Sequence, residues 1–244
     1  MAKSKNTKAS KFNIISPNLN EKEKVLEMAR KDIVTFGQLF MPEDFMKSTP
    51  APYQYELSNV LLSDKDKRIC IILPRGHGKS TLAKAALMHK LYFNPTGKKE
   101  FIAWVAEEQS QLGLRYTNII LDDFESELNT KTPDRRREIK EWVMSTVEPA
   151  LENSAENEGS VWLIGTIVHF DSFLQGIYDG YNDAKKQGRK YAWQVIYHKA
   201  IDNGIPLWPS YFSAEKLDDI RRRFQDVGLT HKFAQEYLNE ARDL

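Results

Sequence analysis

The 244-residue sequence contains a single cysteine, Cys70, so no disulfide can close within it. Because Cys70 lies inside an apolar run, its thiol reads as a buried structural group and not as a nucleophile. Long hydrophobic runs are lacking too: none approaches the roughly 18 residues that a membrane-crossing helix needs, and no membrane contact is expected. Charge of one sign is not in excess. Lys and Arg number 35 against 34 Asp and Glu, a net charge of +1 that excludes a global basic field and leaves nucleic-acid contact to local patches. Lys3, Lys5, Lys8 and Lys11 have no apolar core behind them, so no signal peptide is expected there. Residues 1–20 read as a disordered basic tail, and the chain as a soluble, intracellular protein.

What is present is an ordinary globular composition, 41% apolar and 28% charged, which fits one large α/β domain over 21–244. Apolar residues recur at helical spacing from Glu21 to Phe45 and predict one or two helices ending near Met41-Pro42. Pro50-Ala51-Pro52 breaks the chain before a helix over 53–62, completing a helical N-terminal segment over 21–65. Strands are expected at 68–73, 101–106, 118–121, 161–166 and 191–201. Helices are expected at 80–92, from Pro133 to about Leu151, at 171–186, at 213–226 and at 230–241; 152–160 reads as a loop. Strands alternating with helices imply a mostly parallel sheet covered on both faces.

The most informative stretch is Leu73-Pro74-Arg75-Gly76-His77-Gly78-Lys79-Ser80-Thr81, preceded by Ile69-Cys70-Ile71-Ile72. An apolar strand running into a glycine turn, then Gly-Lys-Ser and a helix, wraps backbone amides around the phosphates of a nucleotide. Lys79 would reach the β- and γ-phosphates and Ser80 would sit on Mg²⁺. The usual G-x-x-x-x-G-K-[ST] form wants glycine at position 73, where this chain has leucine. The competing reading, a chance Gly-Lys-Ser in a surface turn, leaves the flanking strand and helix unexplained. His77 reads as shaping the loop and not as a metal ligand.

Phosphoryl transfer needs an acidic residue on a neighbouring strand end. Ile119-Ile120-Leu121-Asp122-Asp123 has that form, with Asp122 on the metal's water shell and Asp123, or Glu125, preparing the attacking water. Acidic residues commonly terminate strands, so this motif draws its weight from following a phosphate loop. Gly165-Thr166, at the end of a third apolar strand, stands where a γ-phosphate sensor would lie.

At this point the residues resemble a known family, the large terminase subunit of tailed bacteriophages. Pro74–Ser80 is similar to its deviant phosphate loop, and Leu121–Glu125 to its acidic motif. Ile164-Gly165-Thr166-Ile167-Val168-His169-Phe170-Asp171 resembles its coupling motif. Pro52-Tyr53-Gln54 matches its glutamine motif, where Gln54 would read the adenine edge. Pro206–Pro209 with Glu236-Tyr237-Leu238-Asn239-Glu240 resembles the segment closing its ATPase domain, here a helical lid or linker over about 205–244. The resemblance implies a RecA-like (ASCE) P-loop NTPase that uses ATP and Mg²⁺ to pump double-stranded DNA. It also implies partners: the portal protein, the small terminase subunit and further copies in a ring of five. The place of action would be the bacterial host cytoplasm, docked on the procapsid. Arg75, Gly76, His77, Gly78, Lys79, Ser80, Thr81 and Thr166 would line the nucleotide, with Ser80 and Asp122 on the metal. The family's RNase H-like nuclease would begin near Leu244, so the expectation is the ATPase half alone.

Two departures stand out. The interval between Lys79 and Asp122 is several tens of residues shorter than in the family. Only residues 107–117 separate two expected strands, whereas a parallel crossover usually takes a dozen residues or more. The family's arginine before Gly-Leu-Arg is replaced by Leu112, leaving Arg115 and Arg75 as candidate fingers. Arg135–Arg137 and Arg221–Arg223 fan around their helices and read as solvated or salt-bridged faces before they read as DNA contacts. The rivals are a helicase-like translocase, a nucleotide-binding relative without turnover, and a nucleotide kinase. The first would need a second lobe and the last an arginine-rich lid.

Overall fold

The computed structural model describes residues 19–241 apart from 64, 66, 95–96, 107–111, 113–114 and 155–156. The expected tail lies outside the described residues, except that Leu19 and Asn20 open the first helix. Most of the short crossover at 107–117 lies outside them as well.

The five strands β1 (Arg68–Ile72), β2 (Ile102–Ala106), β3 (Asn118–Asp122), β4 (Ser160–Gly165) and β5 (Gln194–Tyr197) form one all-parallel sheet. Their order is β2-β3-β4-β1-β5. Parallel strands are buried on both faces, and β1, β3 and β4 accordingly read as nearly continuous apolar runs. Their side chains alternate between two cores. Ile69, Ile71, Leu73, Ile120, Trp162 and Ile164 face one side. Cys70, Ile72, Ile119, Leu121, Val161 and Leu163 face the other.

The first core is covered by α2 (Ile33–Phe40), α3 (Pro42–Phe45), α4 (Pro52–Leu61) and α5 (Lys79–Phe93), of which α2, α4 and α5 pack on one another, while α1 (Leu19–Lys31) packs on α2. The second is covered by α6 (Pro133–Trp142) and α7 (Phe173–Lys186). The helix after β1 therefore lies on one face and the helix after β4 on the other. β1 and β4 are neighbours, so the winding reverses between them and opens a crevice beyond their carboxyl ends, where ligands of open α/β sheets bind. Helices α8 (Ala214–Asp226) and α9 (Thr230–Leu238) close the chain around a small core of Ala200, Phe212 and Leu217.

Several expected boundaries move. The strand expected over 191–201 pairs with β1 only at 194–197, opposite Ile69–Ile72, and Ile201–Asp202 pair antiparallel with Ile205–Pro206 instead. The helix expected to 241 stops at Leu238, because Asn239 takes the left-handed conformation. The helix from Pro133 ends at Trp142 and continues as a π-helical turn over Val143–Val147, then a 3₁₀ turn over Glu148–Ala150. Pro149, without an amide hydrogen, cannot extend it. Within the expected loop at 152–160, Asn153–Ser154 pair antiparallel with Asn157–Glu158. Among the described residues no helix is long and apolar enough to cross a membrane.

Candidate functional site

Leu73, the off-pattern residue, explains itself by position. It is fully buried in the first core, and its amide still donates to Gly165 O (3.1 Å), so it prolongs β1 before the loop. Beyond it the chain turns through Gly76 and Gly78, at φ +75° and +69°, conformations that cost a residue with a side chain. Gly78 is also the N-cap of α5, so no capping side chain covers the first-turn amides of Lys79, Ser80 and Thr81. Such amides have no carbonyl partner within the helix and form a natural anion site. From below, the Tyr53 hydroxyl donates to His77 O (2.8 Å) and fixes the loop to α4.

Lys79 is buried, and its ammonium donates to Thr166 Oγ1 (3.0 Å) and lies 3.2 Å from Asp123 Oδ1. The Thr166 hydroxyl in turn donates to Leu73 O at 3.0 Å, so one hydroxyl links the exit of β4 to that of β1. Beside them Ser80 Oγ donates to Asp122 Oδ1 (2.7 Å). Burial pushes the Asp122 carboxyl above its ordinary value, against the lowering effect of the Ser80 bond. Asp123 is half exposed and sits at φ +48°, a strained conformation for a residue with a side chain and one that clusters at functional sites. Its amide donates to Ile164 O (2.8 Å), which holds the turn against β4. Gly165 lets α7 approach here: a Cβ at this position would stand 2.6 Å from Leu174 Cδ1.

Two hollows flank the loop. A cleft of about 430 Å³ is bordered by Arg75, Lys79, Asp123, Thr166 and Glu236, among others. A smaller one of about 120 Å³ is bordered by Gln54, Gly76, Gly78, Thr81, Trp208 and Tyr211. The Trp208 and Tyr211 rings stack there (4.8 Å, 27°), and Trp208 Nε1 donates to Thr49 O (2.9 Å). Buried Gln54 borders this hollow while its Oε1 accepts from Ala51 N (2.9 Å), closing the first turn of α4.

The remaining candidates lie elsewhere or are otherwise engaged. Both carboxylate oxygens of buried Glu125 accept amides from the first turn of α7, Phe173 (2.6 Å) and Leu174 (2.9 Å), so this side chain anchors a helix at the cleft's edge. Burial pushes its carboxyl up, opposed by those amide bonds. Arg75 is exposed on the rim and pairs with Glu236 (3.1 Å). Arg115 precedes β3, at the opposite end of the sheet from the cleft, and donates to the carbonyls of Pro149 and Leu151. The arginine triplets have acceptors within the chain. Arg135 donates to Leu128 O, Arg136 to Asp171 and Thr130 O, and Arg137 pairs with Asp134 and Glu141. Arg221 and Arg222 pair with Asp218 and Asp219, and Arg223 donates to Asp219 O. His169 Nδ1 accepts from Asp171 N (3.0 Å), a turn-shaping bond. Sequence reasoning assigned no role to Tyr211 or Phe212, nor one to Trp208, Glu236 or Asn239 individually. Apart from the ring contacts among Trp208, Tyr211 and Phe212, their neighbours in space are far away in the chain.

His77 is buried, stacked on Phe212 (4.6 Å, 12°), and its Nδ1 donates to Arg75 O (3.0 Å). Burial pushes its imidazole down to about 4. The unfolded chain protonates this group near pH 6.5 and the folded one only near 4, so the unfolded state binds more protons between them. Stability contributed by neutral His77 is therefore present above pH 6.5 and lost as pH falls toward 4, by about 3 kcal/mol in all. Denaturant unfolding at pH 7 and 4.5 should show the wild type losing more than His77→Asn; equal losses would place the imidazole in water.

No protein-family model matches this chain, and no curated protein matches it.

Proposed function

We propose that the chain binds and hydrolyses ATP as a P-loop ATPase and, more finely, that it is the motor domain of a terminase-like DNA-packaging machine. The observation that carries the first statement is the Lys79 ammonium held between Thr166 and Asp123 at the uncapped start of α5, with Ser80 on Asp122 beside it. These groups come from the ends of three adjacent strands at the crevice where the winding reverses. A polyanion with a flat aromatic end matches the two hollows. The phosphates follow Gly76, Gly78 and the α5 amides to Lys79, and the base lies against Trp208, Tyr211 and Gln54.

Mg²⁺ fits the donors present, a hydroxyl and a carboxylate. Among the described residues there is no cluster of three or more His, Cys, Asp or Glu that would hold a metal by itself. Magnesium is commonly bound by one or two carboxylates together with substrate phosphates. Ser80 and Asp122 would hold it, and it would supply charge neutralisation at the phosphate oxygens. Lys79 balances charge on the terminal phosphate, Thr166 reports its presence, and Asp123 accepts the proton of the attacking water. Arg115 faces away from this chain's own cleft, and Arg75 on its rim is engaged by Glu236, which together favour slow turnover in the isolated chain and an arginine contributed by a neighbouring copy.

The motor reading rests on the order of the resembling motifs. It is tested by Mg²⁺-dependent ATP hydrolysis with and without double-stranded DNA across a salt series. The expected result is stimulation by DNA of any sequence that fades as salt rises, because phosphates and not bases are gripped. Hydrolysis indifferent to DNA would overturn the motor reading and leave the ATPase.

A further inference from the structure

Asn239 takes no part in the scheme above, yet it is one of the most constrained polar residues of the chain. It ends α9 at φ +54° and is 3% exposed. Asparagine tolerates this left-handed conformation better than most residues with a side chain. Its side-chain Oδ1 accepts from Ile167 N (3.1 Å), and its Nδ2 donates to His198 O (2.8 Å). Ile167 follows Thr166 at the exit of β4. His198 follows β5, and its amide donates to Ile72 O (3.1 Å) at the end of β1. One buried amide thus braces the exit of β4 against that of β5, across the strand that leads into the phosphate loop. Only one orientation of the amide satisfies both partners, because a carbonyl accepts and an N–H donates. The same turn of α9 also holds the loop: Arg75 N donates to Glu236 O (2.9 Å).

We infer that Asn239 is a positioning residue that fixes Ile167, and through it the Thr166 hydroxyl, at the place where the terminal phosphate of a nucleoside triphosphate is recognised. The inference rests on the nucleotide reading of the cleft. Thr166 bonds both Lys79 and Leu73 O, so a small displacement of its backbone uncouples it from the lysine. Release of Asn239 should therefore affect triphosphate and not diphosphate, whose chain ends short of this group.

The test is equilibrium binding of ADP and of a non-hydrolysable ATP analogue to the full chain, with Lys79→Ala as control and Tm measured in parallel. Asn239→Gly keeps the left-handed backbone and removes both bonds; Asn239→Asp keeps the acceptor for Ile167 N. The expected result is unchanged ADP affinity in Asn239→Gly with about a tenfold loss of preference for the triphosphate, the scale of one bond to a charged group. Asn239→Asp cannot donate to His198 O and sets a carboxylate oxygen against it, so it should lose part of the preference too. Unchanged preference in folded Asn239→Gly, or equal loss for both nucleotides, would overturn the positioning role. Should Asn239→Gly not fold, amide exchange at Ile167 in the wild type decides: greater protection by the analogue than by ADP supports the role, equal protection overturns it. Nucleotide binding indifferent to Lys79→Ala would instead show that the underlying reading has failed, and the inference with it.

Discussion

Asp123→Asn should slow ATP cleavage by about 10²–10⁴-fold while leaving ATP affinity close to that of the wild type. Asparagine is nearly isosteric and tolerates the φ of +48° that Asp123 adopts, so the backbone turn at the end of β3 survives. What is lost is the negative charge and the ability to accept a proton. Alanine would be a poorer choice, because it combines the chemical loss with strain at a left-handed position. Losing the Asp123 partner also releases the Lys79 ammonium toward phosphate, which opposes any loss of affinity. Single-turnover cleavage is the proper readout, since product release often limits kcat. A variant cleaving at the wild-type rate would move the proton acceptor to another group. Glu125 is badly placed for that role, with both oxygens held by the amides of α7.

Trp162→Ala should destabilise the fold by about 3–5 kcal/mol, a large fraction of the roughly 5–15 kcal/mol that typically holds a domain together. Trp162 is 2% exposed and lies on β4, paired with Ile69 of β1 on one side and Ile120 of β3 on the other. Its indole fills the face of the sheet under the helices of the first core. Truncation leaves a cavity between the two strands that carry Lys79 and Asp123 into position. Thr166 directly follows the same strand, so the folded fraction should also bind nucleotide more weakly. Urea unfolding measures the first effect, and Trp162→Phe should recover most of it. A loss below about 1 kcal/mol would show that this face can collapse around the missing ring.

Much of the fold was legible because its signals are local. Apolar runs at 68–73, 118–121 and 161–166 are buried parallel strands, and glycine followed by Lys-Ser marks the turn into α5. That Lys79, Ser80, Asp122, Asp123 and Thr166 lie near one another is expected from polar groups at the ends of neighbouring strands; that Ser80 bonds Asp122, and Lys79 both Asp123 and Thr166, is visible only in the structure. Leucine at 73 was a departure from pattern on the page and a packing residue in space. The other features depend on distant pairs. Glu125 stands two residues from Asp123, which suggested chemistry; that its carboxylate anchors α7 depends on a helix that begins at Phe173. Arg115 came from motif position, whereas parallel strand direction puts the start of β3 at the far end of the sheet. Asn239 carries no local signal, since its bond partners, Ile167 and His198, follow two different strands.

The most direct measurement is calorimetric titration of the purified chain with ATP in Mg²⁺, beside Lys79→Ala. Binding to the wild type, weakened about 10–100-fold by Lys79→Ala, is the expected result, the scale of one or two charge-assisted hydrogen bonds. The same affinity in both proteins, or no binding to the wild type, would contradict a nucleotide-phosphate site at Lys79.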